Sequence, residues 1–281
     1  MQNQSTLLSS TQNPRVKQTI DLRVRSERDA SGLFIIEGYR ELLRALEGGQ
    51  KIEELFYCSS LFLGVNEGAL IARLQQTGAR LFECNEKVFH KLSYRDRPDG
   101  LIGVAQQRHL LLDDLEKKIA AKLNPFLIVA EAIEKPGNLG TILRSSDAVG
   151  VDGVLICDRC TDVFNPNVVR ASVGTLFTVP VIESGGKEAL AWLKKNKIQI
   201  LAATPHAKVE YTDVDMCGPL AIAVGTEQLG LSKLWMDEAD LQVRIPMLGV
   251  ADSLNVAMAT TLLLYEALRQ RNLQKAGRSN G

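Results

Sequence analysis

The chain has 281 residues, 45% of them hydrophobic and 23% charged, and its 33 basic residues balance its 33 acidic ones. This length and composition predict a soluble globular protein of one large domain or two modest ones. Zero net charge argues against indiscriminate nucleic-acid binding, and the lack of an apolar run of roughly 20 residues argues against a membrane span.

The first 108 residues predict a small α/β module. Short apolar runs rich in β-branched residues indicate strands, and Gly48-Gly49 and Thr77-Gly78 mark the ends of two intervening helices. A helix is expected from Asn13 to about Arg28. Further strands are expected at 33–36, 54–58, 79–83 and 102–106, and further helices at 37–46, 67–76 and 86–92.

The pattern changes after a charged, partly helical linker at 109–124. Near-continuous apolar strands are then expected at 126–129, 153–156, 199–202, 220–224 and 242–245. Strands of this kind are buried on both faces, which is typical of a mostly parallel sheet flanked by helices. A long apolar helix is expected from Asn255 to Gln270, and the polar residues 274–281 are expected to form a flexible tail.

Two local basic patches lie in the N-terminal module. Residues 15–28 hold five basic and two acidic residues, and residues 87–97 hold four basic residues, one acidic residue and two aromatic ones. Cations beside aromatic rings suit RNA phosphates and unstacked bases. Either patch alone could equally be a solvated charged surface over core aromatics. Arg15, Lys17 and Arg95 are the candidate RNA contacts.

Three polar, glycine-containing stretches each follow a predicted strand of the C-terminal part. They are residues 131–144 (motif one), 223–232 (motif two) and 245–255 (motif three). In an α/β sheet, ligands bind outside the carboxyl ends of the strands. We therefore expect these three motifs to form one site.

In motif one, Pro136 and Gly137 predict a turn, and Asn138 can cap the helix that follows. Arg144 lies nearly opposite the apolar face of that helix, so it is expected to point away from the sheet. The apolar face comprises Leu139, Ile142, Leu143, Ser146 and Val149.

Motifs two and three offer backbone rather than charge. Gly225 stands at a strand end, where glycine permits close backbone approach by a ligand, and Glu227 follows at the same mouth. In motif three, Ser253 or Asn255 is expected to cap the last helix. A loop with many free amides and few charges suits an adenine and a ribose.

In their order and in their residues, these motifs resemble those of the SpoU/TrmH branch of the SPOUT RNA methyltransferases. The resemblance covers about residues 125–270, with a weaker match over the first hundred residues. It implies S-adenosylmethionine-dependent methylation of a ribose 2′-hydroxyl in structured RNA, ribosomal more than transfer RNA. It also implies a trefoil knot in a methyltransferase domain at 125–273, a ribosomal-protein-like RNA-binding domain at 1–108, and a homodimer whose interface forms the active site.

The resemblance assigns roles to individual residues. The catalytic candidates are Arg144, Asn138, Glu227, Ser253 and Asn255. The cofactor-binding candidates are Gly225, Ile245, Met247, Leu254 and Asn255. Arg170, in a stretch at 165–174 that also resembles the family, is expected to anchor an RNA phosphate. All three histidines, His90, His109 and His206, fall outside the motifs, so no imidazole base is expected. A guanidinium does not accept protons near neutrality, so Arg144 is expected to grip phosphate and stabilise a developing alkoxide.

Two alternatives remain open at the level of sequence. The chain could be a non-catalytic RNA-binding relative that keeps the fold, or a dinucleotide enzyme, although Gly137-Asn-Leu-Gly140 lacks the required glycine spacing. Cys157 and Cys160 have a CxxC spacing, but no second pair accompanies them, so no metal site is expected. The N-terminus lacks a signal-peptide pattern, and a cytoplasmic location is expected.

Overall fold

The computed structural model of the chain describes residues 5–158, 161–226 and 228–279. It divides into two compact units. The first comprises Met1–Arg108 and Asp162–Thr178, and the second comprises His109–Thr161 and Val179–Gly281. The segment Asp162–Thr178 therefore packs with the N-terminal module, whereas the sequence places it inside one methyltransferase domain at 125–273.

Helices and strands are numbered along the chain. The strands are β1 (Thr6–Leu8), β2 (Leu33–Glu37), β3 (Ile52–Tyr57), β4 (Arg80–Cys84), β5 (Leu101–Gln106), β6 (Phe126–Glu131), β7 (Gly153–Cys157), β8 (Val181–Ser184), β9 (Gln199–Ala203), β10 (Val209–Glu210), β11 (Leu220–Val224) and β12 (Leu241–Arg244). The helices are α1 (Pro14–Asp21), α2 (Arg25–Ser31), α3 (Tyr39–Glu47), α4 (Glu67–Gln76), α5 (Glu86–Leu92), α6 (Leu112–Ile119), α7 (Pro136–Val149), α8 (Pro166–Ser172), α9 (Gly186–Lys195), α10 (Lys233–Glu238) and α11 (Val256–Ser279).

The first unit is built on a mixed five-stranded sheet in the order β1-β4-β3-β5-β2. Strands β1, β4 and β3 run parallel, and β5 is antiparallel to both β3 and β2. Alternate residues of these strands meet α1 and α5 in a core that includes Phe56, Phe82 and Phe89.

The helix predicted from Asn13 to Arg28 is wrong as a single element, because it is broken into α1 and α2. Asn13 caps α1 by accepting a hydrogen bond from the Arg15 amide at 2.9 Å. Val24 is extended, with φ −91° and ψ 135°, and it precedes the first residue of α2. The break lets Arg28, only 1% exposed, donate to the Leu22 carbonyl at 2.9 Å and to Asp162.

The second unit confirms the predicted parallel sheet and enlarges it. Seven strands, all parallel, lie in the order β10-β12-β9-β11-β6-β7-β8. Every residue of β6, β7 and β11 is buried, as expected for strands covered on both faces. The edge strands β8 and β10 escape sequence analysis because they have only four and two residues and are partly exposed.

The linker and the tail both contain helix. Within the linker, α6 buries Leu112, Leu115 and Ile119 in the core of the second unit. At the other end, α11 continues to Ser279, so residues 274–279 of the predicted tail are helical. Within the described residues, no helix is both long and apolar enough to cross a bilayer.

Candidate active site

Motifs one and two begin side by side because β6 and β11 are neighbours in the sheet. Their register pairs Ala130 with Val224, the last residue of β11. The chain therefore leaves the same edge of the sheet at Glu131 and at Gly225. This is the edge at which parallel sheets bind ligands.

Gly225 is required by the protein's own backbone. A Cβ at this position would lie 2.2 Å from the Gly230 carbonyl oxygen and 2.5 Å from the Leu231 nitrogen. The loop turns back tightly here, with reciprocal backbone hydrogen bonds of 3.0 Å between Thr226 and Gly230, and Gly230 takes a φ of +67°. The sequence interpretation, that this glycine makes room for a ligand, overlooked this closer neighbour.

Glu131 ties motif one to motif two. Its side chain is only 4% exposed, and its Oε2 accepts a hydrogen bond from the Ser232 amide at 2.7 Å. Ser232 is the residue that precedes α10, so this carboxylate satisfies one of the donors at that helix start. Sequence analysis gave Glu131 no role. The available signal was an acidic residue at the end of an otherwise apolar strand.

The helix of motif one begins earlier than predicted. Lys135 occupies the N-cap position, and Pro136, with its preset φ, starts α7. Asn138 therefore sits inside the first turn and does not cap the helix. The predicted apolar face is confirmed, because all five of its residues are buried, and Arg144 is exposed on the other side.

Motifs one and three meet through two asparagines. The Asn255 Nδ2 donates to the Asn138 Oδ1 at 3.1 Å. Asn255 also caps α11, since its Oδ1 accepts from the Ala257 amide at 3.0 Å. Of the two predicted caps, Asn255 is thus the one in use, while Ser253 is exposed in the loop before it.

The loop of motif three has the chemistry that S-adenosylmethionine needs. In the described part of the chain, no backbone–backbone hydrogen bond involves residues 247–254, so their amides and carbonyls can serve a ligand. Asp252 is the one charged residue between 245 and 255, so the loop does not repel a cationic sulfonium. Ile245, Met247 and Leu254 are half-buried and offer apolar contact to an adenine. These residues fit the cofactor.

Some of the candidate site residues do not lie at the carboxyl-end edge of the parallel sheet. Arg170, Arg15, Lys17 and Arg95 all belong to the first unit. Glu227 and Cys160 lie outside the described residues, and Cys157 is buried at the end of β7. Among the described residues, no group of three or more His, Cys, Asp or Glu side chains could hold a metal ion.

The four basic candidates differ in how free their charges are. Arg170 and Lys17 are exposed. Arg15 pairs with Glu54 and stacks on Phe82, its guanidinium carbon 4.6 Å from the ring centroid.

Arg95 is 21% exposed and donates to Glu41 at 2.7 Å. Burial raises the pKa of Glu41, and the positive charge of Arg95 opposes that rise.

Known proteins match this chain over nearly its whole length. The model of the SpoU rRNA Methylase family matches residues 125–265, and that of the MRM3-like substrate binding domain matches residues 13–103. A 23S rRNA (uridine(2479)-2′-O)-methyltransferase from Streptomyces viridochromogenes is 31% identical, over 88% of this chain and 86% of its own. A 23S rRNA (guanosine(2553)-2′-O)-methyltransferase from Bacillus subtilis is 27% identical, over 92% and 97%.

A solved structure agrees with the fold as a whole. The AdoMet-bound rRNA methyltransferase from Sinorhizobium meliloti superposes with a TM-score of 0.85 at 32% identity, covering 94% of this chain and 98% of its own. The family model, the relatives and the solved structure all match the part of the chain that holds the three motifs at one edge of the parallel sheet. The chain belongs to the SpoU rRNA methylase family.

Proposed function

We propose that this protein is an enzyme that methylates a ribose 2′-hydroxyl in ribosomal RNA, using S-adenosylmethionine. The observation that carries the proposal is the convergence of three motifs at one edge of the second unit, joined by the bond between Asn138 and Asn255. Relatives that span nearly the whole chain are named as 23S rRNA 2′-O-methyltransferases. One acts on a uridine and the other on a guanosine, so the shared target is the sugar.

Motifs two and three are the proposed cofactor site. The free backbone groups of residues 247–254 would hold the adenosine, with Ile245, Met247 and Leu254 against the adenine. Gly225 keeps the motif two loop folded back at the end of β11, which β9 separates from β12 in the sheet. When bound, S-adenosylmethionine supplies an electrophilic methyl group on a sulfonium.

The proposed catalytic group is Arg144, whose exposed guanidinium leaves α7 on the side away from the sheet. It would hold the phosphate beside the target ribose and stabilise negative charge as the 2′-oxygen loses its proton. Asn138 and Asn255 would orient the hydroxyl by hydrogen bonding, with Ser253 and Glu227 as further polar groups of the same motifs. The proton leaves to phosphate or water, because an arginine does not accept it.

The first unit is the proposed RNA-binding domain, supported by the match of residues 13–103 to a substrate binding domain. Arg170 and Lys17, whose charges are exposed, would contact phosphates directly. Arg15 and Arg95 are held by carboxylates, so we assign them the supporting role of shaping this surface.

A homodimer is part of the proposal. Met258, Leu262 and Tyr265 are 63%, 42% and 51% exposed and follow one another at helical spacing along one side of α11. Leu248 and Val250 in motif three are fully exposed. A second copy that covers these apolar side chains would complete the site, and light scattering should give twice the chain mass. The trefoil knot and a cytoplasmic location are proposed on family grounds.

The test compares 2′-O-methylation of total RNA from cells with and without the gene. One ribosomal position should lose its methyl group and regain it with purified protein and S-adenosylmethionine. Arg144→Ala should abolish this turnover while calorimetry shows nearly unchanged cofactor affinity. An active Arg144→Ala enzyme would refute the role of this residue, and an unchanged methylation map would refute the function.

A further inference from the structure

We propose that Tyr94, in the first unit, is a rigid platform on which an unpaired base of the RNA substrate stacks. The inference rests on the proposed function and adds to it one recognition residue. Tyr94 is 42% exposed, although it directly follows two buried residues, Leu92 and Ser93. A tyrosine that served only core packing would bury its ring.

The main chain at Tyr94 is fixed before any ligand arrives. Its amide donates to the Glu37 Oε2 at 2.8 Å, and the neighbouring Ser93 hydroxyl donates to the Glu37 Oε1. Glu37 is itself only 8% exposed, at the end of β2. Because these bonds tie the turn to the sheet, the ring position does not depend on a flexible loop.

The ring is held from one face and from its edge. The Arg23 guanidinium lies over the face, 5.7 Å from the ring centroid. Three backbone carbonyls, those of Lys91, Leu92 and Ser93, accept from its Nη2 at 3.1, 2.9 and 2.7 Å. At the edge, the Tyr94 hydroxyl accepts from the Asn167 Nδ2 at 3.1 Å. Such preorganisation reduces the conformational entropy that is lost when a ligand binds.

The surroundings supply a cation for the phosphate of the same nucleotide. Arg170 follows Asn167 by three residues on α8, and with Tyr94 it lines a small cavity whose other lining residues are Ile35, Glu37, Arg95 and Pro166. The guanidinium of Arg170 is exposed, and so are the basic side chains of Lys91 and Arg97 on the tyrosine side. An exposed aromatic ring among cations is the arrangement by which proteins hold single-stranded nucleic acid: stacking for the base and charge for the backbone.

The test measures the affinity of unmethylated large-subunit ribosomal RNA, isolated from cells that lack the gene, for three variants. Tyr94→Ala should weaken binding by about 5- to 150-fold, the range for loss of one base–aromatic stack. Tyr94→Phe keeps the ring but loses the bond to Asn167, and it should stay within about threefold of wild type. Tyr94→Trp should bind as well as wild type or better. Equal binding by Tyr94→Ala and wild type would overturn the proposal.

Salt dependence separates stacking from charge. Tyr94→Ala should leave the slope of log Kd against log salt unchanged, whereas Arg170→Ala should reduce it by about one phosphate contact. A merely structural role for Tyr94 predicts instead that the alanine variant melts earlier and loses affinity for S-adenosylmethionine, which would also overturn the proposal. The affinity measurement needs no methyl transfer, so it is decided separately from the proposed function.

Discussion

Asn255 donates a hydrogen bond to Asn138 across a sequence separation of 117 residues, with 3.1 Å between nitrogen and oxygen. The same side chain caps α11 through its other terminal atom. One residue therefore starts the last helix and fixes its position against the helix of motif one. A second bond between these helices, 2.7 Å between the hydroxyl oxygens of Ser145 and Thr261, holds the pair one or two turns further along.

The double use of Asn255 can be separated by substitution. Asn255→Ser keeps a capping oxygen but is too short to reach Asn138. Because the lost bond is exposed to solvent, the melting temperature of this variant should stay close to that of wild type. Its kcat/KM should fall about tenfold, as expected for one lost hydrogen bond. Asn255→Ala loses the cap as well, and its free energy of unfolding should be lower than that of Asn255→Ser by ~1 kcal/mol. A serine variant with wild-type kcat/KM would show that the link to Asn138 has no catalytic consequence.

Glu131 should control the order of the motif two loop. Glu131→Ala leaves the Ser232 amide without its acceptor, which costs about 1–3 kcal/mol for a buried donor. Hydrogen exchange at Ser232 and its neighbours should accelerate, and affinity for S-adenosylmethionine should drop. Glu131→Gln retains an acceptor, so its exchange rate and its cofactor affinity should lie between those of wild type and Glu131→Ala. Glu134→Ala, at an exposed position of the same motif, is the matched control and should exchange like wild type.

Gly225 should tolerate no side chain. Gly225→Ala forces the Gly230–Leu231 backbone to move, and we expect a loss of about 1–3 kcal/mol, typical of overpacking. Gly218→Ala, where a Cβ meets nothing within 4 Å, should change stability by less than ~0.5 kcal/mol. Urea denaturation of both variants measures the difference. Equal stability of the two would mean that the loop relaxes freely.

The pair of Arg28 and Asp162 should be the costliest ion pair to break in the first unit. The two side chains are 1% and 10% exposed. Asp162→Asn therefore leaves the buried guanidinium without its compensating negative charge, at a cost of about 3–5 kcal/mol. Asp29→Asn breaks an exposed pair with Arg25 and should cost no more than ~0.5 kcal/mol. Limited proteolysis should cut the segment Asp162–Thr178 faster in the first variant alone.

Cys84 should stay unreactive in the folded protein. Burial, assisted by Cys58 and Glu83, raises the pKa of its thiol to about 12. The half-buried Cys217 should therefore be alkylated before Cys84, as mass spectrometry of iodoacetamide-treated native protein would detect.

The same shift links stability to pH. The folded state keeps a proton that the unfolded chain loses above the ordinary thiol pKa, so this stability is present below that pKa and lost as pH rises toward 12. The unfolding free energy of wild type should decline in alkaline buffer more steeply than that of Cys84→Ala. Equal slopes would contradict the shift.

Elements whose signals are local could be predicted from the sequence alone. Helices α4 and α5 and strand β11 have the predicted bounds, because apolar spacing and capping residues lie within each segment. The buried face of α7 and the exposure of Arg144 follow from helical periodicity alone. The motif order along parallel strands also identified the family, since strand ends of one sheet meet at one edge.

Tertiary structure decided which residues those local elements meet. No pattern within residues 162–178 predicts that they pack with the N-terminal module, because their partners Arg28 and Arg44 lie more than a hundred residues earlier in the sequence. Likewise, the sequence predicts Asn138 as a helix cap, whereas in the structure its side chain accepts a hydrogen bond from Asn255. The sequence also predicts open space beside Gly225, whereas the Gly230 backbone occupies it. Periodicity reports which side of an element is buried, whereas the neighbour on that side is set by how the whole chain packs.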